Sequence, residues 1–159
     1  MTFSVRPLTY HDALDVAERM RITDQQEIEA IRGVSLFAER IAMDCHLSLD
    51  CGGIGYVAYW GHVPVVVIGA IPAHPGLWSI YMFATGDLPE IGLGLTKWVK
   101  HSLLPEIVAA GAHRIQCDSI EGHTEAHAWM KVFGAKNEGA MPKFGIGQET
   151  FFRFAITGD

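Results

Sequence analysis

Apolar and polar positions alternate over residues 3–8, which predicts a short first strand, and apolar positions recur at helical spacing over residues 11–20. A second helical pattern begins at Asp24, where Glu27 three positions later completes a capping box, a pairing typical of helix starts. The apolar face of this helix continues beyond Gly33, where we expect a break. The N-terminal region therefore predicts one strand and two helices.

The apolar period changes to two after residue 51. Residues 52–60, 63–71 and 77–84 each predict a strand, and segments 61–62 and 72–76 predict the turns between them. Connections as short as these join neighbouring antiparallel strands. We therefore predict an antiparallel meander of three strands.

Helical and strand patterns alternate through the rest of the chain. They predict a helix over 88–104 with a kink or end at Pro105 and an extension to 110, a strand over 113–120, a helix over 124–133, and strands near 136–144 and 149–156. The helix after residue 88 is a connection long enough to make two strands parallel, so the sheet should be mixed. We predict a single α/β domain over residues 1–159, with a mixed central sheet flanked by helices in the order β-α-α-β-β-β-α-β-α-β-β.

Composition narrows the class of protein. Of the 159 residues, 49% are hydrophobic and 19% are charged, which is typical of a globular domain, and the net charge of -6 disfavours a nucleic-acid partner. The apolar runs are shorter than the ~20 residues of a membrane span, and the N-terminus has no signal pattern, so we expect a cytoplasmic protein without membrane association. The three cysteines lack metal-type spacing and predict free thiols in a reducing compartment.

The strand that ends near residue 84 leads into a helix whose first turns contain Gly92 and Gly94. Unpaired N–H groups at such a helix start commonly bind phosphate. Asp87, however, stands at the N-cap position, followed by Pro89 and Glu90, so its carboxylate is predicted to accept the N–H groups that a phosphate would need. A phosphate-binding turn and a self-capped helix both remain open.

This order of elements resembles the GNAT superfamily of acetyl-CoA-dependent N-acetyltransferases over nearly the whole chain. In that family, a loop of the form Gln/Arg-x-x-Gly-x-Gly/Ala at a helix start holds the coenzyme A pyrophosphate, and residues 89–94 (PEIGLG) align with it. The downstream family pattern, Asn-x-x-Ala, a Tyr four residues later and then Gly-Phe, aligns with residues 123–135. Pro89 replaces the Gln or Arg, His123 replaces the Asn, and Met130 replaces the Tyr that acts as general acid.

The resemblance implies an enzyme that transfers acetyl from acetyl-CoA to an amine of a protein or a small molecule. The residues expected to contact acetyl-CoA are Met82, Phe83, Ala84, Gly92, Leu93, Gly94, Leu95, Thr96, His123 and Ala126. Because the Met130 thioether has no proton to donate to a leaving thiolate, we expect Tyr81 or His127 to assist proton transfer. The alternatives are that Tyr81 is a core or rim aromatic, and that the amine attacks directly without a dedicated acid. A monomer and a homodimer are both left open.

A second resemblance is to the GNAT-like internal virion proteins of short-tailed phages, which have the same fold with an eroded coenzyme A loop. It rests on residues 78–85, the segment EAHAWMKVFGA and the segment FFRFAI near the C-terminus. It implies the alternative of a catalytically inactive phage protein that acts through protein contacts, in the virion or in the host cytoplasm. His123 and His127 have zinc-ligand spacing, but Glu125 is misplaced for the H-E-x-x-H pattern, and we expect no metal.

Overall fold

The computed structural model describes residues 1–33 and 37–158. The strands are β1 (Phe3–Pro7), β2 (Ile54–Trp60), β3 (Val63–His74), β4 (Leu77–Ala84), β5 (Arg114–Ile120), β6 (Lys136–Met141) and β7 (Phe151–Ile156). The helices are α1 (Tyr10–Glu18), α2 (Ile22–Arg32), α3 (Ala38–Asp50), α4 (Leu88–Trp98), α5 (Leu104–Ala109) and α6 (Thr124–Val132), with a π-helical segment, Val99–Leu103, between α4 and α5. The predicted α/β class and the predicted succession of strands are confirmed.

One seven-stranded sheet forms the centre of the molecule, in the order β1-β2-β3-β4-β5-β7-β6. β2, β3 and β4 form the predicted antiparallel meander. β4 and β5 are parallel, and the other neighbouring strands are antiparallel, so the sheet is mixed as predicted. The parallel pair is the one that α4 and α5 connect.

The described part of the N-terminal region contains three helices where two were predicted. Gly33 ends α2 with a φ of 91°, which favours glycine, and α3 begins at Ala38. The part of the predicted apolar face at 34–36 lies outside the described residues. The predicted capping role of Asp24 is wrong, because α2 begins at Ile22 after Arg21 and Asp24 lies buried in its first turn.

Two other boundaries differ from the pattern. β3 runs through His74, with an irregularity in its pairing between Pro72 and His74, so the predicted five-residue turn shrinks to Pro75 and Gly76. The helix after residue 88 does not end at Pro105. Because proline lacks the N–H that would close an α-helical turn, the widened π-helical turn before it lets the chain continue into α5.

The sheet is covered on both faces. α1 and α3 pack on one face around Val57, Val67 and Phe83, whereas α4 and α5 pack on the other, where Leu95 and Leu103 are buried. Because side chains alternate along a strand, Tyr81 and Phe83 lie on the α1–α3 face, and Trp78, Ile80 and Met82 lie on the α4 face. No helix in the described part of the chain has the length and hydropathy that crossing a membrane requires.

Candidate active site

A gap opens in the middle of the sheet, where β4 and β5 separate. The two strands pair from Leu77 and Arg114 as far as Ser79 and Gln116, and then diverge towards their C-terminal ends. A cavity of about 1060 Å³ occupies the gap and extends to both faces of the sheet. Residues of β4, β5, α2, α3, α4 and α6 line it. The cavity therefore joins a compartment beside α4 and α6 to one beside α2 and α3.

Along β4, the backbone N–H and carbonyl groups of successive residues point alternately towards β3 and towards this gap. The Thr85 N–H donates to the Val65 carbonyl on β3 at 2.9 Å, so the peptide groups of Ala84 and Met82 are directed towards β5. Both groups of Ala84 are engaged by α2, because its N–H donates to Asp24 Oδ2 at 2.9 Å and its carbonyl accepts from the Arg21 N–H at 2.8 Å. The peptide group of Met82 then faces the cavity deeper in the gap.

Arg21, Asp24 and Glu27 at the start of α2 span the open end of the gap, and we call these three residues the α2 bridge. The Arg21 guanidinium donates two hydrogen bonds to the Asp24 carboxylate, at 2.9 and 2.7 Å. On the opposite strand, the Ile120 N–H donates to Glu27 Oε1 at 2.7 Å. The α2 bridge thus ties the end of β4 to the end of β5.

His123 lies between the two carboxylates of the α2 bridge. Its Nδ1 is 3.4 Å from Glu27 Oε2 and its Nε2 is 3.8 Å from Asp24 Oδ1, and the residue is 9% exposed. The Glu27 carboxylate raises the pKa of His123 despite the opposing effect of burial, and Asp24 adds to the rise. The pKa of Glu27 is lowered, because the interactions with His123, Ser119 and Ile120 together outweigh the rise that its burial causes.

His127, one turn further along α6, has a different environment. Its Nε2 is 3.1 Å from Ser119 Oγ, and its ring packs against Phe154 and Phe152 with centroid separations of 5.0 and 5.6 Å. Burial lowers its pKa. Ser119 lines the cavity, whereas His127 is not among the described residues that line it. A role for His127 in proton transfer would therefore have to act through Ser119.

The start of α4 differs from the predicted self-capped helix. Asp87 does occupy the N-cap and Pro89 the first turn, but the Asp87 side chain makes no capping hydrogen bond. Backbone atoms take that place, because the N–H of Leu88 donates to the Thr85 carbonyl at 3.3 Å and the N–H of Glu90 donates to the Asp87 carbonyl at 3.0 Å. The carboxylate of Asp87 therefore does not satisfy the N–H groups of the helix start.

The two glycines of α4 have different surroundings. Gly92 lines the cavity, and a Cβ added there would meet no atom within 4 Å. A Cβ on Gly94 would lie 2.9 Å from the Phe3 ring, so this glycine allows α4 to pack against β1. Thr96 Oγ1 accepts from Trp129 Nε1 at 2.9 Å and donates to the Gly92 carbonyl at 2.7 Å, which connects α4 to α6 beside the cavity.

The other predicted contact residues are distributed over the same region. Met82, Leu95, Ala126 and Phe83 line the cavity, and the Phe83 side chain packs in the α1–α3 core. Leu93 is 72% exposed. The structure thus gathers most of the predicted coenzyme contacts around one cavity, on β4, α4 and α6.

Tyr81 and Met130 occupy the two walls of the cavity. The Tyr81 hydroxyl lies buried over Gly69, and burial is the largest of the effects that raise its pKa. Cys117 Sγ donates to Met130 Sδ at 3.1 Å, and burial raises the pKa of this thiol to about 12. Neither Tyr81 nor Cys117 readily gives up a proton near neutral pH.

The architecture is shared with solved acetyltransferase structures. A GNAT-family acetyltransferase of Streptococcus pneumoniae matches with a TM-score of 0.73 and 12% identity, over 98% of this chain and 99% of that chain. The ribosomal-protein-S5-alanine acetyltransferase of Vibrio fischeri matches with a TM-score of 0.72 and 14% identity, over 100% and 94%. This chain has the GNAT fold. A third GNAT-fold match is the phosphinothricin acetyltransferase of Sinorhizobium meliloti in complex with acetyl-CoA, with a TM-score of 0.70 and 16% identity over 98% and 88%.

No protein-family model matches this chain, and no curated protein sequence matches it either. The three-dimensional similarity therefore confirms the GNAT fold predicted from the order of elements. At these low sequence identities, the similarity shows the fold alone.

Sequence reasoning missed the α2 bridge of this GNAT fold. The sequence predicts a capping box from Asp24 and Glu27, because a spacing of three residues serves that purpose at a helix start. The same spacing places two carboxylates on one face of a helix, which is how they reach β4 and β5. Arg21, just before the helix, gave no separate signal.

Proposed function

We propose that this protein is an N-acetyltransferase that moves acetyl from acetyl-CoA to an amine of a protein or a small molecule. The observation that carries the proposal is the cavity of about 1060 Å³ at the point where β4 and β5 separate. It opens on both faces of the sheet, so two substrates can approach one another from opposite sides. The acetyl-CoA complex of the S. meliloti enzyme with the same fold supports this assignment.

The residues present are compatible with acetyl-CoA in the α4–α6 compartment. The peptide group of Met82 faces the gap, where it can pair with an extended amide-containing chain as a neighbouring strand would. Gly92 offers open space beside the cavity, so the backbone of α4 can be approached closely there. Acetyl-CoA supplies an acyl group activated as a thioester. The chain itself has to position the amine and move its proton.

Thermal unfolding with and without acetyl-CoA tests the proposal. A ligand at about 100 times its Kd stabilises the native state by about 2.7 kcal/mol, which corresponds to a rise in Tm of about 5–10 °C for a protein of this size. Equal Tm values with and without millimolar acetyl-CoA would show that the protein does not bind this substrate.

The substitution Gly92→Glu locates the site. It places bulk and negative charge where Gly92 lines the cavity, and we expect it to abolish the Tm rise. Val108→Glu is the matched control, since it adds the same charge at an exposed position of α5 that does not line the cavity, and it should leave the rise intact. A retained rise in the Gly92→Glu variant would mean that acetyl-CoA binds elsewhere.

The competing proposal is a catalytically inactive GNAT-fold protein, phage-encoded, that acts through protein contacts. It is favoured by the α2 bridge, which already engages the N–H groups of Ala84 and Ile120, and by Met130 at the position of the family's general acid. Absence of an acetyl-CoA effect on Tm would favour this proposal over the enzyme. The three free cysteines are consistent with a reducing compartment, such as the cytoplasm, in either case.

A further inference from the structure

Among the described residues that line the cavity, most titratable side chains are poorly suited to transfer a proton, because they are paired with an arginine or have a raised pKa. Three carboxylates, those of Asp24, Asp44 and Asp118, are paired with arginines. Burial raises the pKa of the Cys45 thiol to about 11 and that of the Cys117 thiol to about 12, and it also raises the pKa of the Tyr81 hydroxyl. Besides Glu125 near the start of α6, the remaining titratable groups are His123 and Glu27.

His123 and Glu27 are arranged as a base and the carboxylate that orients it. The Nδ1 of His123 is buried and lies 3.4 Å from Glu27 Oε2 without forming a hydrogen bond, and Nε2 lies 3.8 Å from Asp24 Oδ1. Glu27 is itself fixed by the hydrogen bond from the Ile120 N–H at 2.7 Å. A carboxylate behind an imidazole selects one tautomer and makes the other nitrogen more basic.

We propose that His123 is the catalytic base of this site, with Glu27 as the positioning residue beside its ring. This inference rests on the proposed acetyltransferase function. It assigns the chemistry to a residue at the start of α6, whereas the sequence pattern pointed to Tyr81 and His127.

In the proposed acetyl transfer, each bond that forms is matched by one that breaks, and the proton passes from the amine to the thiol through His123. The amine nitrogen forms a bond to the thioester carbonyl carbon while His123 Nε2 accepts a proton from that nitrogen. The C–S bond breaks, its electron pair stays on sulfur, and the sulfur takes up the proton that His123 received. The products are an N-acetyl amide and a thiol, and His123 returns to its neutral form.

The charges around His123 set the pH range in which it can act. Glu27, Asp24 and Arg21 face it from α2, and His127 lies next to it on α6. Glu27 makes the largest contribution to the raised pKa of His123. The rate should therefore increase with pH as His123 loses its proton, at a pH above the ordinary imidazole value of about 6.5.

The first experiment compares His123→Gln with wild type in CoA release from acetyl-CoA, with spermidine and a lysine-containing peptide as probe acceptors. We expect a loss of about 10²–10⁴-fold in kcat/KM, the usual contribution of a general base, with most of the loss in kcat. His62→Gln, in the exposed turn between β2 and β3, is the matched control and should behave as wild type. Retained release in His123→Gln, or a loss in His127→Gln instead, would overturn the proposal.

The second experiment measures the His123 titration directly by NMR. Glu27→Gln keeps an oxygen for the Ile120 N–H but removes the charge, so the His123 pKa and the acid limb of the pH–rate profile should both move to lower pH. A wild-type His123 pKa at or below 6.5, or one that Glu27→Gln leaves unmoved, would overturn the proposal even if neither acceptor releases CoA. No effect of acetyl-CoA on the wild-type Tm would instead contradict the proposed function itself.

Discussion

His123 and His127 are four residues apart at the start of α6, are each 9% exposed, and have opposite surroundings. His123 faces the Asp24 and Glu27 carboxylates of α2, which hold its pKa above the ordinary value. His127 faces Phe154 and Phe152 of β7, and burial holds its pKa below that value. Equal burial therefore leads to opposite charge preferences, because the partners differ.

The contrast shows which part of the site the local sequence controls. A spacing of four residues places both imidazoles in neighbouring positions along α6, but α2 and β7 determine what each one meets. Although His123 and His127 have zinc-ligand spacing, their ring nitrogens do not face a common point. The His123 nitrogens face α2, and the His127 Nε2 faces Ser119 on β5.

Removing Asp24 should have the largest effect on this contrast. Asp24→Ala leaves the Arg21 guanidinium and the Ala84 N–H without the carboxylate they share, in a buried setting. We expect a loss of about 3–5 kcal/mol in the free energy of unfolding, measured by urea denaturation. The NMR-detected pKa of His123 should also fall towards that of His127.

Asp15→Ala is the control for Asp24→Ala, because Asp15 forms an exposed ion pair with Arg19 at 2.8 Å. Removing an exposed pair should cost less than about 1 kcal/mol. Equal losses from the two substitutions would mean that the α2 bridge stabilises the protein no more than a surface ion pair does.

The fold was predictable because it depends on periodic patterns. The meander, the helix after residue 88 and the strand at 114–120 each have a continuous apolar period, and their order alone led to the GNAT fold. The break at Gly33 was foreseen, but the start of α2 was not, because Asp24 carries an N-cap residue type at a position inside the helix. Residue type alone does not reveal whether a carboxylate caps its own helix or binds another strand.

The candidate site was predictable only in part, for a related reason. The position of Asp87 at the N-cap of α4 was correct, yet its side chain makes no capping bond, since backbone carbonyls accept the nearby N–H groups. The α2 bridge depends on where β4 and β5 end relative to α2, which is a long-range property. Glu27 and Ile120, for example, are 93 residues apart in the chain.

Alkaline pH should weaken the contribution of His123 to stability. The folded state favours its protonated form, so this contribution is complete below the ordinary imidazole pKa of about 6.5 and is lost as pH rises through the raised value. The difference in unfolding free energy between wild type and His123→Gln should shrink across that range, by about 1.4 kcal/mol for each unit by which the folded-state pKa exceeds the ordinary value. Urea denaturation at a series of pH values measures it. A difference that does not change with pH would show that His123 is not charged in the folded protein.

Acid pH should weaken the contribution of His127, which is the smaller and opposite effect. Because the folded state favours neutral His127, its contribution is complete above about pH 6.5 and is lost as pH falls through the lowered value. His127→Phe keeps an aromatic ring against Phe154 and loses the contact with Ser119, so at pH 7 it should change the unfolding free energy by less than about 1 kcal/mol. Between pH 7 and pH 5 the variant should lose less stability than wild type, whereas His123→Gln should show no such protection. Parallel acid profiles of wild type and His127→Phe would mean that the phenylalanine environment does not oppose protonation, and that the contrast between the two histidines arises at His123 alone.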